Sequence, residues 1–450
     1  MNERFVFNNL IYKLGDEDIL LINLISFRRQ KINKNELDFL LSTERKLKEA
    51  LILTTTEKKI YEELLDNKQI LDKNIIDELD SRLKEGAALN FEKIPVKSVM
   101  FNLSYKCNFN CEYCYQRKYK FLNHCKSNIT TKEIEEIKIF LQNEIFDVNF
   151  EKITISGGEP LLKQNIDVIN YILKVFDAKK FNMFTNGENI IEFKNDIDFN
   201  RFYKFQISLD GHDDIIKSVN KREGKIFEKV IEGIKYLASL NKEINISVMW
   251  TKTLESKFSE FIGILKKSNI INKDNIRMKF ALTKSFNNED DLDKEFYDLD
   301  YIKKIRGKYN PILREINSEI EILTNAAKLS AIIHRPVNKK ENIKIRNCNS
   351  NETAVMTFSP DGGVYWCTYL GNDSNRIGSY GKNAYVDVNK ILEFGNRTIF
   401  KIEKCKNCNL RYICGAGCPL PLIGQDKDIM NPVCGIFGNE YFWENLEDFV

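Results

Sequence analysis

The sequence predicts an α/β protein centred on six parallel strands, with a small unit of strands and helices before them and a cysteine-rich region after them. Three observations lead there. From about residue 96 to 285, apolar runs of about five to eight residues alternate with amphipathic stretches, the pattern of repeated strand–helix units. Residues 1–95 hold no cysteine and show a different pattern. Ten of the eleven cysteines fall in two clusters, one just after the first apolar run and one toward the C-terminal end.

Taken in order, residues 1–95 read as a winged-helix-like domain. Two strands are expected at 4–14 and 19–27, joined by the turn signal Gly15-Asp16-Glu17-Asp18, with three helices at 35–52, 56–65 and 73–83. This unit is either a stabilising extension or a recognition module. The acidic stretch 62–80 speaks against duplex DNA, whose phosphates need a basic face. The central domain, 96–285, has strands expected at 96–105, 152–157, 181–186, 204–209, 244–251 and 276–282. Its helices are expected at 130–146, 164–176, 226–239 and 256–267, the first capped by Thr130 or Thr131 with Glu133 in its opening turn. A helical connector, 286–345, follows, with an exposed loop at 287–293 and a helix over 293–320. Residues 346–450 form the cysteine-rich domain.

Composition narrows the function classes. With 43% hydrophobic and 30% charged residues and no apolar run of membrane-spanning length, a soluble cytoplasmic protein is expected, with no signal peptide and no membrane partner. A net charge of +3 from 68 basic and 65 acidic residues argues against nucleic acid as a partner. In a reducing compartment, clustered cysteines read as metal ligands before disulfides. Cys125, which stands apart, reads as an ordinary thiol.

The stretch Cys107-Asn108-Phe109-Asn110-Cys111-Glu112-Tyr113-Cys114 carries the chemistry. Cys-x3-Cys-x2-Cys supplies three sulfur ligands where a closed iron–sulfur or zinc site takes four, so one iron would stay open. Half a zinc site and three core thiols are the competing readings. With Tyr113 just before the third cysteine, the stretch resembles the signature of the radical S-adenosylmethionine (radical SAM) enzymes. The resemblance implies a partial (β/α)6 barrel. It also implies that SAM chelates the open iron and that one-electron reduction cleaves it to a 5'-deoxyadenosyl radical. Chemistry in such a barrel sits at the C-terminal ends of the strands. Four features land there: the cysteine triplet, Gly157-Gly158-Glu159-Pro160, Thr185-Asn186-Gly187 and Ser208-Leu209-Asp210-Gly211. Gly157 and Gly158 carry no side chain to hold a ligand off the backbone, and Glu159 adds a carboxylate. The resemblance assigns Gly157, Gly158 and Glu159 to the amino group of SAM and Ser208 to its ribose, with Tyr113 and Asn186 also at the cofactor. It leads one to expect an arginine where Asn220 stands; Arg222 is two residues further on. His124, His212 and His334 have no motif partner and read as structural or surface residues.

The second cluster comprises Cys348, Cys367 after Gly362, then Cys405-x2-Cys408-x5-Cys414-x3-Cys418-Pro419 and Cys434. It is similar throughout to the seven-cysteine SPASM extension of that family. The resemblance implies two auxiliary 4Fe-4S clusters, the outer on Cys405, Cys408, Cys414 and Cys434, the inner on Cys348, Cys367 and Cys418, making three clusters in all. Zinc ribbons are the competing reading, and seven thiolates fit two four-ligand zinc sites poorly. Three closed four-iron clusters need twelve ligands, and the two motifs supply ten. One missing ligand is the place of SAM; the other falls on the inner cluster, open to a substrate thiolate, another side chain or water. The implied function is maturation of a ribosomally made precursor peptide by a Cys-to-carbon thioether. Residues 1–95 would hold the peptide's leader by strand addition, and a reductase, flavodoxin or ferredoxin would donate electrons. Carbon–carbon crosslinking, epimerisation and anaerobic sulfatase maturation are alternatives, though Thr368 stands where sulfatase-maturing relatives have aspartate. A non-enzymatic iron–sulfur sensor is the reading from another class, against which the glycine-rich site stands.

Overall fold

The computed structural model describes the chain except for residues 1–4, 7–8, 15–17, 27, 68, 72, 88–92, 115, 117–127, 272, 283–298, 322–328, 330–331, 335–342, 347–355, 368–374, 420–421, 423–426, 439 and 450. It begins with four antiparallel strands in chain order: β1 (Phe5–Val6), β2 (Asn9–Lys13), β3 (Asp18–Asn23) and β4 (Arg29–Asn33). The sequence suggests only two strands here. The first doubles back on itself, setting Phe5 opposite Leu10. β4, whose residues are Arg-Gln-Lys-Ile-Asn, buries only Ile32, so no alternation marks it.

Helices α1 (Lys34–Lys48), α2 (Thr55–Asp66) and α3 (Lys73–Ala87) follow. α1 and α2 open on capping boxes, in which Asn33 and Thr54 accept from the amides of Glu36 and Glu57 while those glutamates reach back to the cap amides. Alternation along β2 and β3 splits their side chains between two cores. Ile11, Ile19 and Leu21 pack with Leu40 and Leu64 of the helices, while Leu10, Tyr12 and Ile22 join the main core of the molecule. The N-terminal sheet is thus apolar on both faces and docked on one of them.

The central unit runs β5 (Ile94–Asn102), α4 (Thr131–Leu141), β6 (Phe146–Ser156), α5 (Ile166–Val175), β7 (Phe181–Thr185), β8 (Phe202–Ser208), α6 (Ile226–Ser239), β9 (Glu243–Trp250), α7 (Phe258–Lys267) and β10 (Ile276–Leu282). All six strands are parallel and lie side by side in chain order. Ile153, Ile155, Met183, Phe205, Ile207, Ile246 and Val248 fill the interior. The largest boundary difference is at β6, expected to start at 152. Residues 146–148 are already paired to 94–96 of β5, which shortens α4 and recruits a largely exposed, polar stretch that propensity alone does not mark.

The sheet does not stop at the six strands. Helix α8 (Leu299–Arg314) leads to β11 (Ile320–Glu321), parallel to β10 at one edge. At the other edge β12 (Met356–Phe358) runs parallel to β5, and β13 (Gly363–Tyr365), β14 (Arg376–Ser379) and β15 (Tyr385–Val386) continue antiparallel, making eleven strands among the described residues. Helix α9 (Val388–Asn396) then leads into the C-terminal turns. The two ends of the chain meet: the rings of Phe5 and Trp443 lie 5.6 Å apart. Asp80 of α3 accepts from the Tyr412 hydroxyl and, at 3.4 Å, from Arg411. Among the described residues no helix is long and apolar enough to cross a membrane.

Candidate active site and cysteine centres

Because β5 to β8 are neighbours in order, their C-terminal ends bring the four predicted segments together. The loop after β5 carries Cys107, Cys111 and Cys114, and it is fastened on both flanks. On one flank Gly158 N donates to Ser104 O at 2.6 Å and Glu159 N to Lys106 O at 2.9 Å. A Cβ on Gly158 would lie 2.0 Å from Lys106 O, and one on Gly157, at φ +135°, 2.6 Å from Ser104 O. The two glycines therefore admit the cysteine loop itself, a use of the motif that the sequence reading missed. On the other flank, Asn110 N and Glu112 N donate to the carbonyls of Asn220 and Val219 at 2.8 and 3.2 Å. Those two residues end a single π-helical turn, Ile216–Asn220, closed by Lys221 in the left-handed region.

Asn220 is the residue the sequence reading undervalued. Its Nδ2 donates to Asp210 Oδ2 at 2.6 Å and to Cys111 Sγ at 3.1 Å, while the Tyr113 hydroxyl donates to the same Asp210 oxygen. Nδ2 also lies 3.3 Å from the Tyr113 hydroxyl, and Asn220 Oδ1 is buried with no hydrogen-bond partner among the described residues. Asp210 also accepts from Met249 N at 2.9 Å; its burial holds its carboxyl above the ordinary value, against these bonds. Arg222 does not reach toward the triplet's Asp210 side. It forms a two-pronged pair with buried Glu188, at 2.9 and 2.6 Å, and Lys229 joins at 3.3 Å. Glu188 in turn accepts from Asn108, whose Oδ1 accepts from Asn186 at 2.7 Å.

Glu159 is 1% exposed and turned inward. One oxygen accepts from Leu161 N and the Thr185 hydroxyl at 2.8 and 2.6 Å, the other from Asn186 N at 2.7 Å. Burial pushes its carboxyl up to about 7, although those three donors oppose the shift. Ser208 ends β8 with its side chain exposed. Burial, with Asp210 nearby, pushes the Cys111 thiol up to about 12. The donors aimed at sulfur, Phe109 N to Cys107 at 3.3 Å and Asn220 to Cys111, suit thiolates bound to a cluster.

The second centre has little regular structure. Cys405 lies in the short helix Glu403–Lys406 and Cys414 at the end of Arg411–Cys414; Cys408, Cys418 and Cys434 lie in irregular segments. Burial, then Cys408 and Cys434, push the Cys405 thiol up to about 11. Burial, then Cys408, Cys434 and Cys405, push Cys414 up to about 12. Cys405, Cys408, Cys414 and Cys434 thus share one neighbourhood. Cys367 follows β13, on the arm that pairs with β5. Cys348, Thr368, Cys125 and His124 lie outside the described residues. Among the described residues no three Cys, His, Asp or Glu side chains gather as ligands of one ion do; in a four-iron cluster each cysteine takes a different iron.

An α/β sheet of parallel strands with a three-cysteine loop at its C-terminal ends defines the class of site. The family comparison agrees: residues 101–262 match the Radical SAM superfamily model. The chain therefore carries a radical SAM domain, the domain of enzymes that use SAM and an iron–sulfur cluster. It is similar to GTP 3',8-cyclase of Staphylococcus epidermidis, 26% identical over 185 residues, covering 39% of this chain and 52% of that protein. It is also similar to GTP 3',8-cyclase of Campylobacter jejuni, 28% identical over 184 residues, covering 40% and 52%. The chain spans about half the length of the curated relatives it matches. Among solved structures it resembles native anSMEcpe with bound AdoMet, with a TM-score of 0.52 and 17% identity over 79% of this chain and 96% of that one. It also resembles Streptococcus suis SuiB bound to precursor peptide SuiA, with a TM-score of 0.52 and 17% identity over 96% and 99%.

Proposed function

We propose that this chain is a radical SAM enzyme of the SPASM type that matures a ribosomally made peptide, joining a cysteine sulfur to a carbon of another residue. The carrying observation is the pairing of β12 with β5, which builds the arm bearing Cys367 onto the strand that leads to Cys107. This brings one cysteine of the C-terminal cluster, Cys367, onto the sheet that carries the first cluster, as suits a reaction needing both a radical and an electron acceptor. Cys107, Cys111 and Cys114 would hold the iron–sulfur cluster, and SAM bound there would supply the hydrogen-abstracting radical. The strand-end segments of Gly157, Gly158, Glu159, Asn186, Tyr113 and Ser208 would line the place for SAM, Glu159 by fixing the Asn186 amide from the inside.

Thioether formation removes the thiol proton, one hydrogen atom and one electron from the peptide. The seven C-terminal cysteines would hold two four-iron clusters able to accept the electron, and the hydrogen atom would leave on the adenosyl group of bound SAM. An external reductase, flavodoxin or ferredoxin starts each cycle. The fold likeness to SuiB extends over the N-terminal residues, and an edge strand such as β4, polar and unpaired on its outer side among the described residues, suits addition of a leader as a fifth strand. The GTP 3',8-cyclase relatives favour a different substrate, but their likeness covers 39% and 40% of this chain.

The test is incubation of the anaerobically reconstituted, reduced protein with SAM and a cysteine-containing precursor peptide encoded beside it. Loss of two hydrogens per crosslink, resistant to thiol alkylation, supports the thioether. The same loss with every cysteine still alkylatable moves carbon–carbon crosslinking ahead. Unchanged mass with solvent deuterium at one α-carbon indicates epimerisation. Absence of 5'-deoxyadenosine removes the enzyme reading altogether.

A further inference from the structure

The turns that carry Cys405 to Cys434 belong to no strand among the described residues, and one side chain holds them instead. Arg397, just after α9, is fully buried. Its Nε donates to Ile429 O at 2.7 Å, Nη1 to Gly417 O at 2.7 Å, and Nη2 to Ala416 O and Asn431 O, both at 2.9 Å. Ala416 and Gly417 lie between Cys414 and Cys418, and Ile429 and Asn431 lie on the segment that enters Cys434. One guanidinium therefore ties together the two loops that present three of the cysteines.

The loops need such a tie. Gly415, Ala416 and Gly417 stand consecutively at φ +62°, +68° and +72°, a run that a non-glycine residue in the middle makes unfavourable unless its surroundings impose it. The loops also touch directly: a Cβ on Gly417 would lie 1.7 Å from Val433 O, and Val433 N donates to Ala416 O at 3.0 Å. A buried cation is costly unless its surroundings compensate it. Beside thiolate-bound iron the same charge becomes favourable. It stabilises the reduced cluster, which holds one more negative charge, more than the oxidised one.

We propose that Arg397 is the positioning residue of the outer auxiliary centre, locking the loops of Cys414, Cys418 and Cys434 and raising the reduction potential of the cluster bound there. The inference rests on the reading of Cys405, Cys408, Cys414 and Cys434 as cluster ligands. An outer cluster made easier to reduce is a better acceptor for the electron that the peptide surrenders.

The test uses the full chain with Cys107, Cys111 and Cys114 changed to Ala, so that only auxiliary signals remain. Iron per chain and the midpoint potentials are read by electron paramagnetic resonance during redox titration, for Arg397 itself, Arg397→Lys and Arg397→Met. Lys keeps the charge but cannot reach four carbonyls; Met keeps the bulk and removes the charge. The Lys variant should keep the potential of the outer cluster. The Met variant should lose auxiliary iron, or retain it with the reduction equilibrium shifted at least tenfold toward the oxidised form, about 59 mV for one electron. A Met variant with full iron and unchanged potential overturns the proposal. A Lys variant with full iron whose potential shifts as far as Met's overturns the effect on potential, because the retained charge would then count for nothing; a Lys variant that loses its iron as Met does supports the locking by the four bonds and overturns the role of the charge. If the chain with Arg397 intact shows no auxiliary signal, it is the ligand reading that fails.

Discussion

The two cysteine centres solve one problem in opposite ways. The barrel loop of Cys107, Cys111 and Cys114 is held by the ends of neighbouring parallel strands: the Gly157–Gly158 turn on one flank, the Val219–Asn220 turn on the other, and donors already aimed at sulfur. The C-terminal centre hangs on short turns, left-handed residues and a buried arginine. A ligand loop built on a sheet is preorganised by that sheet's register. A ligand loop built from turns depends on its metal and on a few buried polar bonds.

The largest expected effect separates them by removing iron. Anaerobic chelation should leave amide protection of β5 to β9 within a few-fold of the loaded protein, while residues 405–418 and 427–434 lose protection by orders of magnitude. Equal loss in both regions, read by hydrogen exchange with mass spectrometry, would end the comparison.

Glycines give the next contrast. Gly158→Ala drives a methyl into Lys106 O, so it should cost ~3 kcal/mol or more and abolish SAM cleavage. Gly362→Ala, at φ +78° with nothing within 4 Å of the added carbon, should cost only about 1 kcal/mol. Thermal unfolding of the two variants under one buffer decides it.

Asn220→Leu keeps the size and takes the donor from Cys111 and Asp210. It should retain iron yet slow SAM cleavage by roughly 10–100-fold, the usual cost of removing a bond that orients a ligand. An unchanged rate would leave the π-turn's backbone as the whole clamp on that flank.

The smallest effect is a pH dependence centred on Glu159, whose folded value of about 7 lies above the ordinary 4.5. The folded state thus holds the proton more tightly than the unfolded one, so this group's contribution is fully present below about pH 4.5 and is lost as pH rises through about 7. Unfolding temperature should fall between pH 6 and pH 8, and Glu159→Gln should flatten that slope, an effect on the order of 2 kcal/mol at most. An identical slope in the variant would assign the pH dependence to other groups.

Much of this arrangement is legible in the residues. Apolar runs spaced by amphipathic stretches mark the six strands because a parallel sheet buried on both faces has no polar positions to spare. Cysteine spacing marks both centres because soft-metal ligands leave no other trace. Short polar elements are not legible: β4 and the start of β6 form only because a partner strand offers its edge. Nor does spacing reveal that Gly158 yields to Lys106, that Arg222 is drawn off by Glu188, or that Arg397 binds four carbonyls. The sequence by itself determined which strands form the sheet and which glycines and cysteines stand at their ends, since periodicity and residue spacing are local properties. Only the tertiary structure decided how those residues are held, because hydrogen bonds from Asn220 and Arg397 join segments whose meeting depends on the packing of the whole chain.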